Sequence, residues 1–231
     1  MKRNSDWKSI LRSAECCEVL AQVAVLRKKG ERAYPIQRVY PNEKDVFRAF
    51  EDCPFKEVRV VILGQDPYFR EGQAIGRAFA VSESTTKVPP SLKNIFEQVR
   101  HDYPTQLMPK PTLELESWAK QGVFLLNTTL TVAHGRPNSH ADIGWKEAVT
   151  IPTLKKLSAG REHLVFMLWG APAKLFEQFL DQRRHLVLKA GHPSRPSLTG
   201  FRGCGHFRKA NNYLNKHGIE PIIWTIGKAD S

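Results

Sequence analysis

The chain has 231 residues but only four cysteines, Cys16, Cys17, Cys53 and Cys204. They form no Cys-x-x-Cys pair and no Cys/His spacing suited to zinc or an iron–sulfur cluster, and two adjacent thiols sit awkwardly in a disulfide framework. The thiols read as reduced and the setting as cytosolic: nucleoid-associated in a bacterium, nuclear in a eukaryote or a nuclear virus. No apolar run approaches the ~20 residues of a membrane helix. The opening MKRNSDWKSILRS lacks the apolar core of a secretory signal. A secreted or membrane-spanning protein is excluded on this reading, and no membrane partner is expected. Low-complexity stretches, internal repeats and long linkers are also missing, so a single domain over 1–231 is expected. Nucleotide, flavin and metal motifs are absent too, which predicts no cofactor and no metal. Acidic residues are scarce, 23 Asp+Glu against 35 Lys+Arg, for a net charge of +12. That balance suggests a polyanionic partner, most often nucleic acid, although many basic proteins bind nothing anionic specifically.

What is present is an ordinary globular composition, 41% apolar and 25% charged. A fold of this size buries roughly 70–75% of its unfolded surface and needs no staple. Four short, continuous apolar runs stand out: EVRVVILG (57–64), GVFLLNTTL (122–130), EHLVFMLWG (162–170) and HLVLKAG (185–191). Continuous aliphatic runs mark strands buried on both faces of a parallel sheet. Pro221–Trp224 reads as a short edge strand. Helical spacing appears between the runs, with Leu92, Ile95, Phe96 and Val99 on one face and Leu175, Phe176 and Phe179 on another. A further helix spans 145–157, kinked or broken at Pro152. Trp7, Ile10, Leu11, Val19, Leu20 and Val23 mark an N-terminal helical segment that packs on the body or docks to a partner. The alternation predicts an α/β fold, a central mostly parallel sheet flanked by helices.

Ligands of such folds sit beyond the carboxyl ends of the strands. The residues that close or follow the four runs are Gly64–Gln65–Asp66–Pro67–Tyr68, Asn127, Trp169–Gly170 and Gly191–His192–Pro193–Ser194. Asp66 is either a turn former capping the next segment or a carboxylate that orients water and stabilises positive charge. These strand ends carry no second carboxylate, which argues against the two-carboxylate scheme of ordinary glycosidases. His192 either fixes its loop or donates one hydrogen bond to a developing anion. Asn127 is a satisfied buried amide or a recognition group with one donor and one acceptor face. Tyr68 and Phe79 are core aromatics or a pair that holds a flat heterocycle. Ser194–Arg195–Pro196–Ser197–Leu198 belongs to a solvated basic loop or a phosphate-contacting one. Pro89–Pro90–Ser91 opens a helix, as an ordinary start or as a phosphate site.

Taken together, these strings resemble family 1 uracil-DNA glycosylases. Gly-Gln-Asp-Pro-Tyr at 64–68 resembles the family's water-activating loop, Pro-Pro-Ser at 89–91 its proline-rich loop and Leu-Leu-Asn at 125–127 its uracil-reading strand. Asn-Ser-His at 138–140 with Gly144–Trp145, and Leu168–Trp169–Gly170, also fit. His-Pro-Ser at 192–194 resembles the minor-groove intercalation loop. The likeness runs from about residue 35 to 224.

The resemblance implies a single α/β domain with a four-stranded parallel sheet that flips uracil out of DNA and cleaves its N-glycosidic bond. The implied roles are Asp66 for the sugar cation and water, His192 for the uracil anion at O2, and Asn127 for O4 and N3–H. Tyr68 excludes the thymine methyl, Phe79 stacks on the ring, and Gln65 adds polar contacts. The implied DNA contacts are Pro89, Pro90, Ser91, Ser194, Arg195, Pro196, Ser197 and Leu198. Uracil-containing single- and double-stranded DNA is the implied substrate of a monomer, with a proteinaceous inhibitor that mimics DNA as a further partner.

The chain departs from the family pattern in three places. Phe69 stands where His usually follows Pro-Tyr, so altered water positioning and lower turnover are expected. Arg195–Pro196 replaces the usual Pro-Leu, leaving Pro196, Arg195 or Leu198 as the wedge. Ala171 replaces a small hydroxyl residue after Trp-Gly. The competing readings are a DNA-binding scaffold of the same fold with reduced or lost catalysis, and a glycosylase of wider substrate range.

Overall fold

The computed structural model describes residues 5–32, 38–106, 112–194 and 200–225. In chain order the strands are β1 (Val39–Tyr40), β2 (Val60–Gly64), β3 (Val123–Asn127), β4 (Val132–Ala133), β5 (Val165–Trp169) and β6 (Leu186–Ala190). The α-helices are α1 (Lys8–Leu11), α2 (Ala14–Arg32), α3 (Arg48–Asp52), α4 (Pro90–Asp102), α5 (Glu116–Ala119), α6 (Ile151–Gly160), α7 (Ala171–Lys174) and α8 (His206–Lys216). The four apolar runs supply a parallel sheet ordered β3-β2-β5-β6, and β1 and β4 pair in a small antiparallel ribbon. Register sets Gly64 beside Asn127 and Trp169 beside Ala190, so the strand ends lie along one edge.

Side chains alternate across a strand, and both faces of this sheet are covered. Val61, Leu63, Phe124, Leu126, Phe166 and Leu168 enter one apolar cluster with Trp7, Trp145 and Leu154. Val60, Ile62, Val123, Leu125, Val165 and Met167 enter the other, against Leu92, Ile95, Val99 and Phe207. The fourth run departs from this pattern. β6 is an edge strand, half-buried over most of its length, and its exposed Lys189 pairs with Glu177 at 2.7 Å.

The helix expected around 91–99 forms as α4 and buries all four of its apolar positions. The segment 173–180 splits instead into α7 and a 3-10 turn over Leu175–Phe179, which leaves Leu175 69% exposed while Phe176 is buried. Pro152 does not break its helix. A regular α-helix would drive the proline ring into the Ala148 carbonyl, but a π turn over Lys146–Thr150 leads directly into α6. Pro221–Trp224 is irregular rather than a strand. Side chains take the place of a ladder there, with Ile222 N–H donating to Asn211 Oδ1 (3.0 Å) and Ile223 N–H to Gln121 Oε1 (2.8 Å). The N-terminal segment packs on the body. Trp7, Ile10, Val19 and Val23 are buried, and the Trp7 ring stacks on Phe124 with centroids 5.3 Å apart.

Candidate active site

The floor of the site is set where β2 and β3 end side by side. Asn127 is 7% exposed, and among the described residues its carboxamide makes no hydrogen bond to protein. Its side chain lines the pocket, so both the donor and the acceptor of the amide are available to a ligand. Gly64 makes room for it, because a Cβ at that position would lie 2.2 Å from Asn127 Oδ1.

One wall is aromatic. Phe79 adopts φ +63°, a strained conformation for a bulky residue, and its ring lies 5.4 Å from Trp169 and 6.1 Å from His192. Arg77 anchors this stretch. Its guanidinium is buried, donates to Asp52 Oδ2 at 2.6 Å and to the Glu114 carbonyl at 2.9 Å, and so ties the strained turn to two neighbouring segments. Tyr68 stands beside Phe79 with its hydroxyl 2.7 Å from Ser91 Oγ and 3.3 Å from the Phe79 carbonyl, and burial pushes its phenol up to about 12. The Ser91 hydroxyl is thereby turned toward Tyr68.

Thr128 and Thr129, just past β3, clamp the opposite loop. The Gln65 carbonyl accepts from Thr128 Oγ1 (2.7 Å) and the Thr129 N–H (3.0 Å). Asp66 then receives the Asn138 N–H at Oδ2, 2.8 Å away, while Gln65 Nε2 donates to Asn138 Oδ1. Burial raises the Asp66 pKa above the ordinary carboxylate value, and the Asn138 N–H opposes that shift.

His192 closes the pocket. Its Nδ1 accepts the Ser194 N–H at 3.1 Å and lies 2.7 Å from Ser194 Oγ. A backbone N–H can only donate, so Nδ1 carries no proton and the neutral imidazole holds its hydrogen on Nε2. The approach of this ring to the sheet depends on Gly170, which has φ +89° and whose Cβ would lie 3.0 Å from His192 Cβ.

Asp66, Tyr68, Phe79, Asn127, His192, Gln65, Ser91 and Ser194 thus line one pocket of about 180 Å³. It is smaller than a typical drug-sized site and suits one small planar ring. Phe69 lines it too, with its carbonyl held by the Gly135 N–H at 2.9 Å. A wider cavity of about 600 Å³, walled partly by the Arg38–Glu71 pair, contains none of these groups except their neighbour Ala74. Chemistry rather than size selects the site. Pro89 is buried and Pro90 exposed at the start of α4, while Arg195, Pro196, Ser197 and Leu198 lie outside the described residues. Arg77, Thr128 and the inward role of Ser194 escape a reading of the sequence, since a lone arginine or threonine carries no pattern that marks its partner.

An α/β domain that gathers a carboxamide, aromatic rings, a half-buried carboxylate and an imidazole at its strand ends has the chemistry to hold a flat heterocycle and stabilise it as an anion. The sequence model of the uracil DNA glycosylase superfamily matches residues 50–215. A uracil-DNA glycosylase of Campylobacter jejuni subsp. doylei is 43% identical over 229 residues, covering 98% of this chain and 95% of that protein. One of Actinobacillus succinogenes is 44% identical over 225 residues, covering 95% and 97%. Among solved structures, mimivirus uracil-DNA glycosylase superposes with a TM-score of 0.83 at 26% identity, covering 95% of this chain and 84% of that one. The chain belongs to the uracil DNA glycosylase superfamily.

Proposed function

We propose that this chain excises uracil from single- and double-stranded DNA, hydrolysing the N-glycosidic bond after the nucleotide is flipped out of the stack and so opening base-excision repair. The observation that carries the reading is the placing of Asp66 and a donor-ready His192 around a pocket floored by the unpaired Asn127 carboxamide. Asn127 accepts from uracil N3–H and donates to O4, a pattern that cytosine inverts. Phe79 stacks on the ring, and Tyr68, stiffened by Ser91, crowds C5 against the thymine methyl. As the bond to the sugar lengthens, negative charge gathers on the base and positive charge on the sugar. His192 Nε2–H donates to O2 of the departing anion. Asp66, charged, stabilises the sugar cation and aligns the attacking water. Because the leaving group is itself a stable anion, no carboxylic acid is needed to protonate it, which is consistent with the lone carboxylate.

The basic charge of +12 supports association with the DNA backbone. A mimivirus UNG variant has been solved in complex with UGI, which supports a DNA-mimicking inhibitor protein as a further partner of this chain. Action as a monomer in the DNA-containing compartment belongs to the same proposal. No observation favours the scaffold alternative.

The test is uracil release from a single-stranded oligonucleotide in chelator, with wild type beside Asp66→Asn and His192→Ala. Robust release that falls by orders of magnitude in both variants is the expected result. A folded wild type that binds DNA yet releases nothing overturns the reading in favour of the scaffold.

A further inference from the structure

Asn138 is separated from Asp66 by most of β3, β4 and their connections, yet it meets the carboxylate through a bond built from two sides. Its backbone sits at φ +60°, a region that Asn and Gly enter readily and other residues only with strain. In that conformation its N–H points at Asp66 Oδ2, 2.8 Å away. Its side chain is clasped at the same time, Oδ1 accepting from Gln65 Nε2. The turn behind it is fastened as well. Ser139 Oγ accepts the Ala133 N–H at 2.8 Å, and the next residue, His140, bonds Thr131 Oγ1, which accepts the Trp145 indole N–H. Ordinary loop packing does not require a left-handed residue with both its backbone donor and its side chain engaged on neighbouring positions of one turn.

We propose that Asn138 is a positioning residue for the reaction: its left-handed backbone N–H, clasped in place by Gln65, aims and charges the Asp66 carboxylate. This inference rests on the glycosylase reading above. The hydrogen bond favours the ionised carboxylate where burial disfavours it, so its loss moves the acid limb of activity to higher pH. The other titratable groups that line the pocket are His192, Tyr68 and Arg77. Tyr68 titrates far above this range, and Arg77 is committed to Asp52 and Glu114. His192 is retained in every variant considered next.

The experiment measures kcat, KM and melting temperature of the full chain on a uracil-containing single-stranded oligonucleotide from pH 5 to 8, for wild type, Asn138→Ala, Asn138→Gly and Asn138→Asp. Alanine keeps the N–H but loses the clasp to Gln65 and disfavours the left-handed backbone, so the N–H turns away from the charged carboxylate; a fall in kcat of roughly 10- to 100-fold is predicted for Asn138→Ala, with KM nearly unchanged and the acid limb raised. Asn138→Gly keeps both the donor and the left-handed backbone and recovers most of the rate. Asn138→Asp keeps the backbone and an acceptor for Gln65 but adds a carboxylate beside Asp66, so its acid limb rises while its melting temperature holds. A pH profile of Asn138→Ala that overlays wild type overturns the proposal, as does a glycine variant as impaired as alanine. Should Asn138→Ala fail to fold, an unshifted acid limb in Asn138→Asp overturns it instead. A wild type that releases no uracil sinks the glycosylase reading itself, a distinct outcome.

Discussion

Two histidines outside the pocket make stability sensitive to mild acid. His140 and His206 are 4% and 3% exposed, and burial holds both pKa values at about 4 against an ordinary 6.5. Neighbouring cations, Arg27 and Arg136 for His140 and Lys209 for His206, push the same way. Each ring is held neutral. His206 Nδ1 accepts the Trp169 indole N–H at 3.0 Å, and His140 Nδ1 lies 2.9 Å from Thr131 Oγ1. The unfolded chain takes up a proton on each ring below about pH 6.5, whereas the folded chain does so only below about 4. Stability is therefore intact above that window and drains away as pH falls through it. Between pH 7 and 5 the two pKa values translate into a loss of about 2 kcal/mol per histidine, about 4 kcal/mol together. That is a large share of a typical folding free energy of roughly 5–15 kcal/mol. Urea unfolding at pH 7 and pH 5 measures it, comparing wild type with His140→Asn and His206→Asn, which offer a carbonyl acceptor near Nδ1 and do not titrate. Each variant is expected to lose about 2 kcal/mol less than wild type across the interval. The two effects should add, because the residues pack on opposite faces of the sheet. Equal pH dependence in wild type and both variants would falsify the assignment of these rings as the acid-sensitive groups.

Two further substitutions probe the pocket directly. Phe69→His restores a hydrogen-bonding ring beside Asp66 and is expected to raise the single-turnover rate of uracil release; an unchanged rate shows that the phenyl ring is neutral there. Gly64→Ala forces a methyl group to within 2.2 Å of Asn127 Oδ1, and displacing that carboxamide by the required ångström or so should cost roughly 100-fold in kcat/KM. Near-normal kinetics in that variant would show that the amide can swing aside without losing its grip on the base.

The sheet was legible because its information is local. Continuous aliphatic runs at β2, β3 and β5 can satisfy their burial only inside a covered parallel sheet, and a ligand edge follows from that topology. The same rule over-reached at 185–191, where Lys189 already signalled an edge. It failed at Pro221–Trp224, where the partners are the side chains of Asn211 and Gln121, distant in sequence. The π turn before Pro152 was hidden because proline reports only that a regular helix is impossible and not how the backbone avoids the clash. Within the site, residue types that do chemistry at strand ends could be picked out one by one. What holds them could not. The Arg77–Asp52 anchor, the Ser91 contact that stiffens Tyr68 and the Ser194 N–H that sets the His192 tautomer each have at least one partner in a loop, and loops carry no periodicity to reveal them.

The superfamily match begins at residue 50, but the mechanical boundary of the molecule lies well before it. Trp7 is fully buried, its indole N–H donates to the Cys53 carbonyl at 3.1 Å, and its ring meets Phe50, Phe55 and Phe124 with centroids 5.3 to 5.4 Å apart. The indole is a keystone inserted from outside the matched segment. A shortened chain cut to the limits of the match would keep every residue that lines the pocket and lose the plug behind β3, leaving an aromatic socket open to water beneath the strand that ends in Asn127. The matched segment and the architectural unit do not coincide in this protein, and a minimal folded fragment has to be cut to the second.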